Sequence, residues 1–247
     1  MVLLLSVLIC GCSRTVLMEE NAPLNSLESI ARTVQKTDRL ITTVQIDLMT
    51  AQGHYPVRAA LILQRPSYLR LEMLPVIGTP DFYLTASPDQ MSIFIPSRGE
   101  FYSGKPSAEN LARFLPCSFS IEELVMILSS TYPPLAEKQV SYESYQEGNL
   151  LRVEMKTPSG PSQTIWIEKN GRVSRLVRNG SDRREIYSVQ YGRYTPGSPY
   201  AETITIKMAD QVTSVSAKYT NIQVEKPTDL SVFELPIPAG VKVIQMD

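Results

Sequence analysis

Leu40-Ile-Thr-Thr-Val-Gln-Ile-Asp-Leu48 sets the period on which most of the chain is built. Leu40, Thr42, Val44, Ile46 and Leu48 share one face of an extended strand, and Thr43, Gln45 and Asp47 share the other. Successive strand side chains point to opposite sides, so such a segment packs one face and solvates the other. The same interval returns in Val57, Ala59, Leu61 and Leu63, then in Leu69, Leu71 and Met73. It continues in Phe82, Leu84 and Ala86, and in Met91, Ile93 and Ile95. Arg65-Pro66-Ser67, Ser87-Pro88-Asp89 and Arg98-Gly99 punctuate these runs, the last before a short Phe101-Tyr102 strand. Strands and turns at this spacing predict an antiparallel meander.

Outward from the meander the period changes. Residues 107–131 read as helical: Ser107 caps one segment, and Ser120 with Glu123 has capping-box spacing before an apolar run to Leu128. Tyr132-Pro133-Pro134 ends it. Strands are predicted again over 138–146, 150–157, 162–169, 172–179, 184–192, 201–209 and 212–225, with Asn170-Gly171 as a two-residue hairpin turn. Upstream, Leu27, Ile30, Ala31 and Val34 mark one face of a helix over 24–36, capped by Asn25 or Ser26. Pro227-Thr228-Asp229 introduces a short helical turn through Phe233, and 241–244 a last short strand.

Helix, strands, helices, strands is an α+β order dominated by antiparallel β. It predicts a curled sheet of about eleven strands, a half-barrel with an apolar interior whose open side the helices close. Leu61, Leu63, Leu69, Leu71, Phe82, Leu84, Ile93 and Ile95 are the expected lining of a ligand cavity. A fully packed core is the alternative that periodicity alone leaves open.

The amino end is a short apolar run, far below the roughly 20 residues of a membrane-spanning helix. It matches the h-region of a secretory signal, although no Lys or Arg precedes Cys12. Ile9-Cys10-Gly11-Cys12 resembles a lipobox: a branched apolar residue, a variable one, a small one, then the cysteine whose thiol takes the diacylglyceryl group. The expected organisation is a signal peptide over 1–11, a lipidated tether over 12–23 and one domain over 24–247.

A formal net charge of −1 gives no electrostatic footprint for nucleic acid. Once Cys10 leaves with the signal and Cys12 is acylated, Cys117 is the remaining cysteine, and a buried inert thiol is its expected state. One histidine, His54, argues against histidine triads and multi-histidine metal sites. No G-x-S-x-G, phosphate loop or C-x-x-C occurs. Glu19-Glu20 and Glu122-Glu123 are adjacent, so their side chains diverge and read as solvated charge. The expectation is no enzyme, no cofactor and no metal.

Leu74-Pro75-Val76-Ile77-Gly78-Thr79-Pro80 joins two strands with apolar residues where connections are ordinarily polar. The stretch around it, Leu69-Arg-Leu-Glu-Met-Leu-Pro-Val-Ile-Gly-Thr-Pro-Asp-Phe-Tyr-Leu84, resembles the LolB family of outer-membrane lipoproteins. So do Ala86-Ser-Pro-Asp89, Tyr102-Ser-Gly104, Ala108-Glu-Asn-Leu111 and Phe119-Ser-Ile-Glu-Glu-Leu-Val-Met-Ile-Leu128. About a quarter of the chain is similar closely and the rest in element order. The carboxyl end, 229–244, is similar to the broader LolA-like superfamily.

The resemblance implies a lipoprotein anchored at Cys12 on the periplasmic face of the outer membrane. It implies a monomer that takes lipoproteins from a periplasmic LolA-like carrier, holds their acyl chains in an apolar cavity and inserts them into outer-membrane lipid. It also implies that Ile77, with Leu74 and Val76 beside it, forms a membrane-insertion loop; Ile stands here where the family carries Leu. Alternatives are a lipid-binding lipoprotein of the same fold without a transfer role, and an envelope-stress sensor.

Overall fold

A computed structural model describes residues 16–17, 27, 38–116, 118–226 and 229–247. The signal segment, Cys12, Cys117 and Pro227-Thr228 lie outside the described residues, as does the expected tether apart from Val16–Leu17, which form a strand, and the expected helix over 24–36 apart from Leu27, which is helical and buried.

The alternating segments form one mainly antiparallel, unclosed sheet. Its first arm holds β2 (Arg39–Thr50), β3 (Gly53–Gln64), β4 (Tyr68–Met73), β5 (Tyr83–Ala86), β6 (Met91–Ile95) and β7 (Glu100–Gly104) in chain order. Two helices follow, α1 (Ala108–Ala112) and α2 (Ile121–Leu128). The second arm holds β8 (Ser141–Glu147), β9 (Leu150–Lys156), β10 (Ser162–Ile167), β11 (Val173–Asn179), β12 (Glu185–Tyr194), β13 (Ala201–Met208) and β14 (Ser214–Glu225). The arms join where β14 pairs antiparallel with β2, Ser214 opposite Met49 and Glu225 opposite Arg39. At the margins β15 (Lys242–Met246) lies parallel to β7, and β1 (Val16–Leu17) pairs with Tyr145 and Gln146 of β8.

The described residues hold fifteen strands rather than the expected eleven: the short runs at 82–86, Met91–Ile95, Phe101-Tyr102 and 241–244 all pair, as β5, β6, β7 and β15, and the two-residue β1 adds to them. The helical region is also shorter than expected. Residues 113–116 and 118–120 are not in helices, and the run resumes where Ser120 and Glu123 complete their reciprocal capping box. Asn170-Gly171 belongs to a wider turn, closed by the Gly171 N–H on the Glu168 carbonyl at 2.9 Å, with only Gly171 at positive φ.

The core lies on the concave face. Leu40, Val44, Leu61, Leu63, Leu69, Leu84 and Ile93 from the first arm join Ile165, Leu176, Val189, Ile204 and Ile206 from the second. Leu111, Ile121, Val125 and Ile127 of the helices complete the same cluster. Leu69 is fully buried, so Leu69→Ala should lower unfolding free energy by about 2–5 kcal/mol in a denaturant titration.

The 3-10 turn Ser231–Phe233 covers part of the opposite face. Phe233 packs on Tyr68 at 5.3 Å between centroids, and Arg70 donates to the Val232 carbonyl at 2.8 Å. Arg39 lies over the same ring and donates to the Asp229 carbonyl.

Candidate functional site

Strand alternation aims Leu61, Leu69, Leu71, Phe82 and Leu84 into the hollow of the curled sheet, where Ile206, Val215 and Ala217 approach from the second arm. Leu115, Pro116, Phe119, Leu124 and Leu128 roof this space. What remains is a cavity of about 120 Å³ with a wholly apolar lining. Three of the eight expected lining residues are elsewhere. Leu63 and Ile93 are buried in the continuous core, to which Leu111, Ile121 and Val125 of the helical cover also belong. Ile95 lines a neighbouring groove.

That groove, of about 860 Å³, is open to solvent and bordered by Leu74, Pro75 and Val76. Ile46, Val57, Met73 and Phe82 line both spaces, so these four half-buried side chains form the wall between groove and cavity. Arg58, Arg98, Asp47 and Asp81 are the groove's charged residues.

The loop itself is fixed at both ends and bare at its tip. The Leu74 N–H donates to the Arg58 carbonyl at 2.7 Å, prolonging the β3–β4 ladder by one bond, and Leu74 is half-buried. On the other side Asp81 accepts from the Ser97 N–H at 2.7 Å and from its hydroxyl at 2.6 Å, which holds the Asp81 carboxyl below its usual range. Gly78, at φ +97, takes a left-handed conformation that a β-branched residue would resist. Between these fixed points Val76 and Ile77 are 102% and 90% exposed. Most exposed apolar residues need no explanation, but two adjacent β-branched side chains held clear of the body do.

Asn110 of α1 donates its amide to the Asp247 carbonyl beside β15 at 2.7 Å, whereas α2 and the residues after it are tied toward the second arm. From β12 the Tyr191 hydroxyl donates to the Thr131 carbonyl at 2.6 Å, and Tyr187 donates to Glu123 at 3.3 Å. From β14 the Tyr219 hydroxyl donates to the Leu128 carbonyl at 2.8 Å, and the Ala201 N–H of β13 donates to the Ser130 hydroxyl at 2.8 Å. Phe119 meets the Tyr187 ring edge-on at 5.0 Å. Toward β2–β6, α2 makes apolar contacts and no hydrogen bond among the described residues. Burial pushes all three phenols up, well out of the neutral range. Sequence reading passed over these tyrosines. Tyr187 and Tyr191 flank Val189 on an inward face, and a phenol on a buried face requires a partner, which is the signal that was there to find.

His54, in the β2–β3 hairpin, faces Asp47 at 3.1 Å and is half exposed. Cys12 and Cys117 lie outside the described residues.

No protein-family model matches the chain, and no curated protein sequence matches it. Its fold has solved counterparts. A domain from Vibrio parahaemolyticus, described as an outer membrane lipoprotein-sorting protein domain, is similar at a TM-score of 0.61 and 13% identity, over 85% of this chain and 95% of that one. A LolA superfamily protein from Nitrosomonas europaea is similar at 0.57 and 12%, over 86% and 97%. A DUF1329 family protein from Desulfovibrio piger is similar at 0.64 and 11%, over 87% and 97%. The chain therefore shares its fold with proteins of the LolA superfamily.

Proposed function

We propose that this chain is a non-enzymatic, LolB-like lipoprotein on the periplasmic face of the outer membrane. It accepts lipoproteins from a LolA-like carrier and inserts them into the bilayer. One observation carries the reading: Val76 and Ile77 stand bare beside a groove that four apolar side chains separate from a dry apolar cavity. Acyl chains need such a surface, since each buried CH₂ is worth about 0.8 kcal/mol. A loop tip that buries itself among lipid tails gives the chains a route out.

At about 120 Å³ the closed cavity is smaller than the roughly 300–1,000 Å³ of ordinary ligand sites. Loading therefore requires the cover to move. Its tyrosine ties lie toward β12–β14 and its apolar contacts toward β2–β6, so the side that parts is the one facing Met73, Phe82 and the groove. Among the described residues α2 has no hydrogen bond toward β2–β6 to break when that side opens.

Ala217 tests the cavity directly. Ala217→Leu adds three carbons inside it. Stability should hold to within about 1.5 kcal/mol because a void is being filled. Affinity for a fluorescent fatty acid should fall about tenfold or more, the equivalent of excluding a few CH₂ groups.

The anchor enters the same reading. A fatty-acid analogue should label the wild-type chain and not Cys12→Ser. In cells, depletion decides the transfer role: other lipoproteins should fail to reach the outer membrane, and their normal arrival would refute it. Survival of acyl binding in that event would leave the lipid-binding alternative.

A further inference from the structure

Alternation along an antiparallel sheet puts every second chain reversal at the same end. The turns β9–β10 (157–161), β11–β12 (180–184), β13–β14 (209–213), β2–β3 (51–52), β4–β5 (74–82) and β6–β7 (96–99) therefore stand in a row at one rim. Ile186, Val212, Met49, Tyr55, Val76 and Ile77, all large and exposed, belong to four of these six reversals or to the strand residues beside them. At the opposite end the turns 65–67, 87–90, 168–172 and 195–200 carry no exposed large hydrophobic side chain among the described residues. The exposed ones near that end are Val224, within β14, and Leu230, beside the Asp229 carbonyl that Arg39 engages.

The charges at the apolar rim are unevenly committed. Asp47 faces His54, Asp81 takes both donors of Ser97, Asp182 accepts from the Arg184 N–H at 3.0 Å, and Asp210 accepts from the Val212 and Thr213 N–H groups. The acids thus cap their own turns. Arg184 reaches Asp182 at 3.7 Å, and Arg58, Arg98 and Arg183 remain exposed among the apolar tips. Apolar side chains with an aromatic and guanidinium groups beside them suit the boundary of an anionic bilayer, where tails take the apolar groups and phosphates the cations.

We infer that the whole rim, not the Val76–Ile77 loop alone, is a docking surface for a bilayer containing anionic phospholipid. It sets the half-barrel end-on, with its groove opening at the lipid interface. This rests on the proposed function for the choice of partner and adds the surface and the orientation. It also places a demand on the tether. Val16 pairs with Gln146, at the polar end of β8. While that pairing holds, the chain from Cys12 to Val16 reaches about 14 Å at most. The twelve residues of β2 span about 40 Å from end to end. Docking to the leaflet that holds the anchor therefore requires β1 to leave β8, which frees up to about 50 Å of chain between Cys12 and Leu27.

Met49 and Val212 line neither the groove nor the cavity. The test uses the full chain with Cys12→Ser, so that no acyl anchor contributes, and sedimentation with vesicles of phosphatidylethanolamine and phosphatidylglycerol. Met49→Asp with Val212→Asp should lower partitioning at least about tenfold. Val224→Asp, at an exposed position at the opposite end of β14, should leave it unchanged. Fluorescent fatty-acid binding should persist in both variants, which shows that they are folded. Wild-type partitioning by the Met49/Val212 variant, or no partitioning by the parent, would overturn the inference. Normal partitioning without delivery of acyl cargo would instead sink the transfer reading and leave the docking surface standing.

Discussion

Val76→Glu combined with Ile77→Glu should abolish unloading of an acylated lipopeptide onto vesicles while leaving its binding to the protein intact. Both side chains are almost wholly exposed, so the replacements disturb no packing and Gly78 keeps the loop's reversal. Burying a Val or Ile in lipid is worth about 1.5–3 kcal/mol each, and that gain disappears. Two carboxylates would enter the interface in their place. The combined effect is a loss of at least about a hundredfold in productive docking. Melting temperature should not change. Comparing lipopeptide bound to protein with lipopeptide delivered to vesicles separates the two steps. Delivery at the wild-type rate would remove the loop from the mechanism.

The second large effect is alkaline unfolding. Tyr187, Tyr191, Tyr200 and Tyr219 are each at most 5% exposed, and burial pushes every one of their phenols up, Tyr200 to about 12. The unfolded chain ionises these groups near 10. A phenol whose folded value is raised contributes its full stability below pH 10 and loses it as pH climbs. By pH 11 the four together have given up on the order of 5 kcal/mol. Domains of this kind hold about 5–15 kcal/mol in all. Cooperative loss of far-ultraviolet circular dichroism is therefore expected between about pH 11 and 12, with phenolate absorbance appearing in the same transition. Phenolate appearing near pH 10 in an intact fold would contradict the tie between these tyrosines and the cover.

Much of this was open to reading from the sequence because it is local. Alternation from Leu40 to Ile95 predicts the first arm strand by strand, and Ser120 with Glu123 announces α2. The loop at 74–80 stood out because apolar residues between two prolines contradict ordinary loop chemistry. Pairing of β14 with β2 carries no local signal, since Ser214 and Met49 are distant in the chain and either strand has the pattern for other neighbours. The cavity was legible only in part for a related reason. Periodicity says that Leu63 and Leu71 share a face, but where the cover fills the hollow decides that Leu71 meets empty space and Leu63 meets side chains. The ring of exposed tips was out of reach for periodicity as well, because it exists only once strand order brings Ile186, Val212, Met49 and Val76 to one rim.

Direct transfer is the sharpest test of the central claim. The full chain with Cys12→Ser would be loaded with a fluorescent triacylated lipopeptide, freed of excess and mixed with phospholipid vesicles. The account predicts a one-to-one complex that persists in buffer and empties onto the vesicles. A chain that binds no lipopeptide, or one that binds it and never releases it to lipid, would contradict the account.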